Sequence, residues 1–244
     1  MKLMRLFVIG CLTVVLGGCA ANEDAPGDVF WSTDKTIRVV NGGPSLPHRQ
    51  LQALAGQAAR EYAALRAVLG EDVGRVTVWV HDSGIARHFP PATIRIPTRL
   101  LRKSTVITAH EITHLLSQGW ASQVLKEGLA SYLQARFGGQ RGWPNYRRTL
   151  HGAARYWLRE SESVYGLADA ERTLGNGLSA PTKTRLVAYN LAGSWVRWLL
   201  EEKLAGDLDR FMREIYRTEN YEAATDLPLL RLQAEWREFL QGIR

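Results

Sequence analysis

The stretch VITAHEITHLLSQGWASQVLKEGLASYL, residues 106–133, constrains this chain more than any other. Val106, Ile107, Ile112, Leu115 and Leu116 supply apolar surface at helical spacing, Ser104 can cap a helix and Gly119 can end it. A helix is therefore expected over 104–118. Four residues advance about 400° and about 6 Å, so His110 and His114 stand one turn apart on one face. Beyond the Gly119 break, Ser122 can cap a second helix, expected over 122–137, that folds back across the first. Glu127 then lies just over one turn from its start, level with the two histidines, and Gly128 and Ala130 allow close approach. The pattern implies a pair of helices with two imidazoles facing one carboxylate.

Such a trio suits a metal. Two imidazoles on adjacent turns can each direct a nitrogen at one ion at about 2.0–2.1 Å, and a catalytic zinc commonly takes three protein ligands and leaves a fourth position open. The expected ligands are His110, His114 and Glu127. Glu111 is rotated about 100° from His110, beside the ion rather than under it. That offset suits a general base that takes a proton from a zinc-activated water.

The rest of the chain reads as α+β. TIRVVNGG (36–43), RVTVWVH (75–81) and TIRIP (93–97) have strand character, the last flanked by Pro90, Pro91 and Pro97 in a manner that suits a sheet edge. Residues 48–69 keep a helical period and stop at Gly70. From Ser104 onward the signals are nearly all helical, with helices expected near 145–160 and over 186–204, 207–217 and 228–241, and irregular chain between 160 and Arg185. A strand-rich N-terminal part thus precedes a helical C-terminal part, with the metal helix between them. An edge strand around Ile94–Ile96 would offer backbone to an extended peptide.

The N-terminus reads as targeting. Lys2 and Arg5 precede an apolar run, Leu6 to Leu16, too short to span a bilayer. Leu16-Gly17-Gly18-Cys19 resembles the lipobox of bacterial lipoproteins. The resemblance implies a signal peptide over 1–18, a lipid on the Cys19 thiol, a flexible tether over 19–34 and a folded domain over 35–244. Alanine at position 20 implies the outer membrane, facing the periplasm. Cys11 leaves with the signal, so no disulfide framework is available. Without residues 1–18 the chain has 226 residues, enough for one sizeable core, and a formal charge of +5 rather than +7. Basic residues are interleaved with acids, as in REYAALRAVLGED, which marks a solvated surface rather than a nucleic-acid interface.

HEITH followed by LKEGLASY resembles the gluzincin zinc metallopeptidases, in particular bacterial peptidase MA-like families related to the thermolysin and aminopeptidase N groups. VAYNLAGSWVRWLLEEKLAGDLDRFM (187–212) is similar to their downstream tyrosine helix. The resemblance implies a thermolysin-like catalytic domain that cleaves peptide bonds, with Zn2+ on His110, His114 and Glu127, Glu111 as general base, and Tyr189 as a donor to the oxyanion. The chain departs from the family in three ways. The gap from His114 to Glu127 is short. The Gly-x-Met-Glu-Asn amine site of the aminopeptidases is missing, which argues against amino-terminal trimming. Ser131 replaces the aspartate of the neprilysin-like branch.

Simpler readings cover other residues. His48, His81, His88 and His151 have no partner at ligand spacing and are expected as surface or hydrogen-bonded histidines. Trp79, Trp195 and Trp198 are expected in the core, and Tyr132 is expected to pack. Two function classes follow: a zinc metallopeptidase tethered to a bacterial membrane, or a zincin-fold lipoprotein without turnover that binds or assembles envelope components. The three expected metal donors and Glu111 are all present, which favours the enzyme.

Overall fold

The computed structural model describes residues 28–43, 46–119, 121–138, 143–160 and 166–242. The expected signal segment, Cys19 and most of the expected tether lie outside the described residues. Among the described residues no helix is long and apolar enough to cross a membrane.

The chain is mixed α+β. It opens with β1 (Val29–Trp31) and β2 (Ile37–Asn41), followed by α1 (His48–Leu69), β3 (Val76–His81), β4 (Arg87–Phe89) and β5 (Thr93–Pro97). Then come α2 (Thr98–Arg102), α3 (Thr108–Leu116), α4 (Gln123–Phe137), α5 (Leu150–Glu160), α6 (Leu167–Gly175) and α7 (Thr182–Trp198). The helix of α7 continues as a π-helical segment, Leu199–Lys203. Last are α8 (Leu208–Arg210), which runs on through π-helical Phe211–Tyr216, then α9 (Tyr221–Thr225) and α10 (Leu229–Gly242).

The sheet order is β1-β2-β3-β5-β4, with β2, β3 and β5 parallel and an antiparallel strand at each edge. Alternation along β3 buries Val76, Val78 and Val80 and leaves Thr77, Trp79 and His81 half-covered. One face of the sheet thus meets the core, and Trp79 stands on the other, not in the core as its strand position suggested. Helix α1 covers the buried face with Leu51, Leu54, Ala55, Ala58, Tyr62 and Leu65, spaced at three and four residues, and reaches α3. It ends at Gly70 in a left-handed cap, φ 72°.

The helical part is centred on α7, which packs on α4, α5 and α6. Trp195 and Trp198 are buried and stacked at 5.5 Å, and Trp236 of α10 meets Trp195 edge-on at 5.6 Å.

Four expectations change. The tether expected over 19–34 is already strand at 29–31, where Val29, Phe30 and Trp31 pair with Val40, Val39 and Arg38. TIRIP is not the edge strand: β5 lies between β3 and β4, and the edge is Arg87–Phe89. The prolines permit this because Pro90 and Pro91 sit in the turn between β4 and β5, and Pro97 ends β5, so none interrupts the ladder. Ser104 does not cap the helix that carries His110 and His114. It adopts φ 52° in the turn after α2, and α3 begins four residues later. The chain between 160 and Arg185 holds α6 rather than only irregular structure, because Leu167, Ala170 and Leu174 form a buried stripe against α7.

Candidate metal centre

Two carboxylates that sequence spacing does not reveal fix the two helices of the site. Ile107 at the start of α3 offers no side-chain cap. The buried Glu61 of α1 supplies one instead: its carboxylate accepts from the Thr108 hydroxyl and the Ala109 backbone N–H, and from Gln57 Nε2 at 2.8 Å. A carboxylate there satisfies orphan donors and complements the positive end of the helix dipole. Burial pushes the Glu61 carboxyl up, against the hydrogen bonds from Thr108 and Gln57. At the start of α4, Ser122 accepts from the Leu125 N–H at 3.4 Å, and Glu171 of α6 accepts from Gln123 and Val124 N–H at 2.9 and 2.7 Å. The far end of α3 is held by Tyr216, whose hydroxyl donates to the Ser117 carbonyl at 2.8 Å. With both helices fixed, Gly119 (φ 153°) makes the turn between them.

The three expected donors meet. Glu127 Oε2 is 3.1 Å from His110 Nε2 and 3.3 Å from His114 Nε2, and the two nitrogens are 3.2 Å apart. A tetrahedral ion with bonds of about 2.0–2.1 Å separates its donors by about 3.3–3.4 Å, so this triangle is close to the size that such an ion would require. The donor set, two imidazoles and a carboxylate, also fits zinc. Burial alone would raise the Glu127 carboxyl, but the charge of His114 and the hydrogen bonds from His110 and His114 hold it well below the usual carboxylate range. Burial opposes a charge on His110, and the Glu127 hydrogen bond with the charges of Glu127 and Glu111 raises its imidazole nonetheless.

Gly128 does not serve the α3–α4 approach as expected. A Cβ there would lie 2.5 Å from the Ala192 carbonyl oxygen and 2.6 Å from Val196 Cγ2, so the missing side chain admits α7. That contact brings Tyr189 into the site, with its ring 6.0 Å from that of His110 and its hydroxyl hydrogen-bonded to Glu127. Burial, with the Glu127 and Glu111 charges, pushes its hydroxyl well above the ordinary tyrosine value, so it remains a proton donor. Tyr132 is buried and its hydroxyl accepts from Arg136 at 3.3 Å, a packing role.

His88 is the residue that spacing missed. It sits on the edge strand β4 with its Nδ1 3.6 Å from Glu111 Oε2 and its ring 4.6 Å from that of His114. Its side chain is 39% exposed and that of Glu111 only 6%, so His88 stands at the mouth over a buried carboxylate. No local pattern links His88 to residues 110–114, and only the strand pairing of β4 with β5 brings it there. His88, Glu111 and His114 also form a donor group with ligand atoms within 4.8 Å of one another. The 3.1–3.3 Å triangle of His110, His114 and Glu127 fits a small ion better. Of the other histidines, His48 pairs with Asp28 at 3.3 Å on the surface, His81 is half-buried, and His151 is buried against Ser194.

The site opens into a cavity of about 390 Å³ lined by residues 85–89, His110, Glu111, His114, Gln123, Glu127, Leu174 and Tyr189 among others. The edge strand β4 forms one wall, and among the described residues no strand pairs with its outer side.

No protein-family model matches this chain, and no curated protein sequence matches it.

Proposed function

We propose that the chain is a zinc-dependent peptidase of gluzincin type with a thermolysin-like catalytic domain, anchored through a lipid on Cys19 to the periplasmic side of a bacterial outer membrane. The observation that carries this reading is the triangle of His110 Nε2, His114 Nε2 and Glu127 Oε2 with sides of 3.1–3.3 Å, at the floor of an open cavity. His110, His114 and Glu127 hold the ion. A bound zinc supplies a Lewis acid that brings the pKa of a water to about 7 and polarises the scissile carbonyl.

The protein groups perform the remaining work. Glu111 is buried on the same helix face edge, open to the cavity, and takes the proton from the attacking water before passing it to the leaving nitrogen. The Tyr189 hydroxyl stays protonated and turns from Glu127 to the oxyanion as charge develops there. The free edge of β4 pairs with an extended peptide through its backbone and lays the scissile bond across the floor. The anchor is supported by the Leu16-Gly17-Gly18-Cys19 stretch.

The deciding experiment joins metal analysis to peptide digestion. Purified protein should carry about one equivalent of zinc, and His114→Ala with Glu127→Ala should carry none. Glu111→Gln should keep the zinc and lose peptide cleavage by at least about a hundredfold. Zinc retained without the two ligands would overturn the ligand set, and full cleavage by Glu111→Gln would overturn the mechanism. A protein that holds zinc and cleaves no peptide would be a binding or assembly factor.

A further inference from the structure

Beside Glu111 a second cavity of about 470 Å³ carries charge that the peptidase chemistry leaves unused. Its wall shares His110, Glu111, Arg185 and Tyr189 with the catalytic cavity but includes neither His114 nor Glu127, so it opens to one side of the reacting centre. Arg99, Lys103 and Arg185 line it, and among the described residues of its wall Glu111 is the single carboxylate. Trp143 and Tyr146 provide aromatic surface.

Arg185 is the informative group. It lies on α7 one turn before Tyr189, so the two side chains share a face. Its Nε is buried and, among the described residues, has no hydrogen-bond partner, while its Nη2 donates to the Thr182 hydroxyl at 3.4 Å. Among the described residues none of Arg99, Lys103 and Arg185 makes an ion pair. A guanidinium cannot shed its charge, so a half-buried one with an unfilled Nε–H is a standing demand for an acceptor. A carboxylate meets that demand through two parallel hydrogen bonds, from Nε and from one Nη. The sequence supplies no competitor from the adjoining segment, since residues 138–159 contain five arginines and no acid.

We propose that this cavity binds a substrate carboxylate on Arg185, with Arg99 and Lys103 adding to the positive potential and Trp143 and Tyr146 packing on the apolar body that carries it. The protein then acts on peptides with a carboxylate next to the scissile bond, either an acidic side chain or a free C-terminus. This inference rests on the peptidase reading for the word substrate, but the binding itself does not.

The test is calorimetric titration of the Glu111→Gln protein, to prevent turnover, with two matched pairs of probes. One pair is acetyl-Ala-Ala-Glu-Ala-amide and its Gln counterpart, and the other is acetyl-Ala-Ala-Ala as the free acid and as the amide. At least one acid should bind about tenfold or more tightly than its neutral partner, and the pair that discriminates identifies the source of the carboxylate. Arg185→Gln in that background should erase the difference. Should Arg185→Gln unfold, the exposed pair Arg99→Gln with Lys103→Gln serves instead, and should reduce the difference about threefold. Equal binding within both pairs, or discrimination that survives these substitutions, overturns the proposal. Wild-type digestion of the same probes separates the two readings. Cleavage without carboxylate preference removes the cavity's role and leaves the peptidase, whereas carboxylate-dependent binding without any cleavage keeps the cavity and removes the peptidase.

Discussion

His88 and Glu111 face each other at 3.6 Å across the gap between the edge strand β4 and helix α3. The contact joins the element that would align a peptide to the group that would move its proton. A base must be held within hydrogen-bond reach of the water it serves, and a neighbour at the mouth limits its rotamers. Replacing His88 by Gln should therefore lower kcat about tenfold while zinc content stays at one equivalent. Measured metal content and steady-state kinetics check this together. Unchanged kcat would show that the two side chains are neighbours without a shared task.

Glu61 should matter to a helix that it does not belong to. It accepts from Thr108 and Ala109 at the start of α3, where no local side chain caps the helix. Glu61→Ala leaves those donors unmet in a buried place, and should cost about 2 kcal/mol in a urea titration. Weaker zinc retention should accompany the loss, because His110 lies two residues from Thr108. A variant as stable as wild type would mean that another acceptor replaces Glu61.

Gly128→Ala tests how tightly α4 seats on α7. The new methyl would meet the Ala192 carbonyl oxygen, which belongs to backbone and cannot rotate away. Overpacking of this kind costs about 1–3 kcal/mol. Chemical denaturation should show that loss, and cleavage should fall further than zinc content, since Tyr189 sits on the displaced helix. Equal stability would indicate that the two helices slide freely.

His151 predicts a pH dependence that does not involve the candidate metal ligands. Burial, with the charge of Arg197, depresses its imidazole to about 4, and its Nδ1 lies 2.8 Å from the Ser194 hydroxyl, which also accepts from Trp236 Nε1. Between an ordinary value of about 6.5 and 4, the unfolded chain binds a proton that the native state refuses. Stability therefore falls as pH drops through that window, by on the order of 2 kcal/mol between pH 7 and pH 5 from this group. His151→Gln lacks the titration, so its urea midpoint should decline less over the same interval. Parallel declines for the two proteins would remove His151 as the cause.

Short-range pattern made much of this protein readable. Helix α1 begins at His48 and ends at Leu69 as its apolar period and Gly70 indicate, and Ser122 caps α4 as expected. The meeting of His110, His114 and Glu127 was also legible, because a helical turn fixes the first two and a short break returns the third. The start of α3 was not, because its cap comes from Glu61, 47 residues earlier. The edge strand is not legible in the sequence because Arg87–Phe89 is three residues long and carries no alternating signal of its own.

The sequence by itself determined what neighbours within a turn or a hairpin can enforce: helix periods, the one-turn spacing of the imidazoles and the return of Glu127. The tertiary structure decided which side chains from distant segments close the site, namely His88 from the sheet edge, Tyr189 and Arg185 from α7, and the capping carboxylates Glu61 and Glu171. The physical reason is that backbone geometry propagates over only a few residues, while burial is satisfied by any complementary surface that the whole chain can bring into contact.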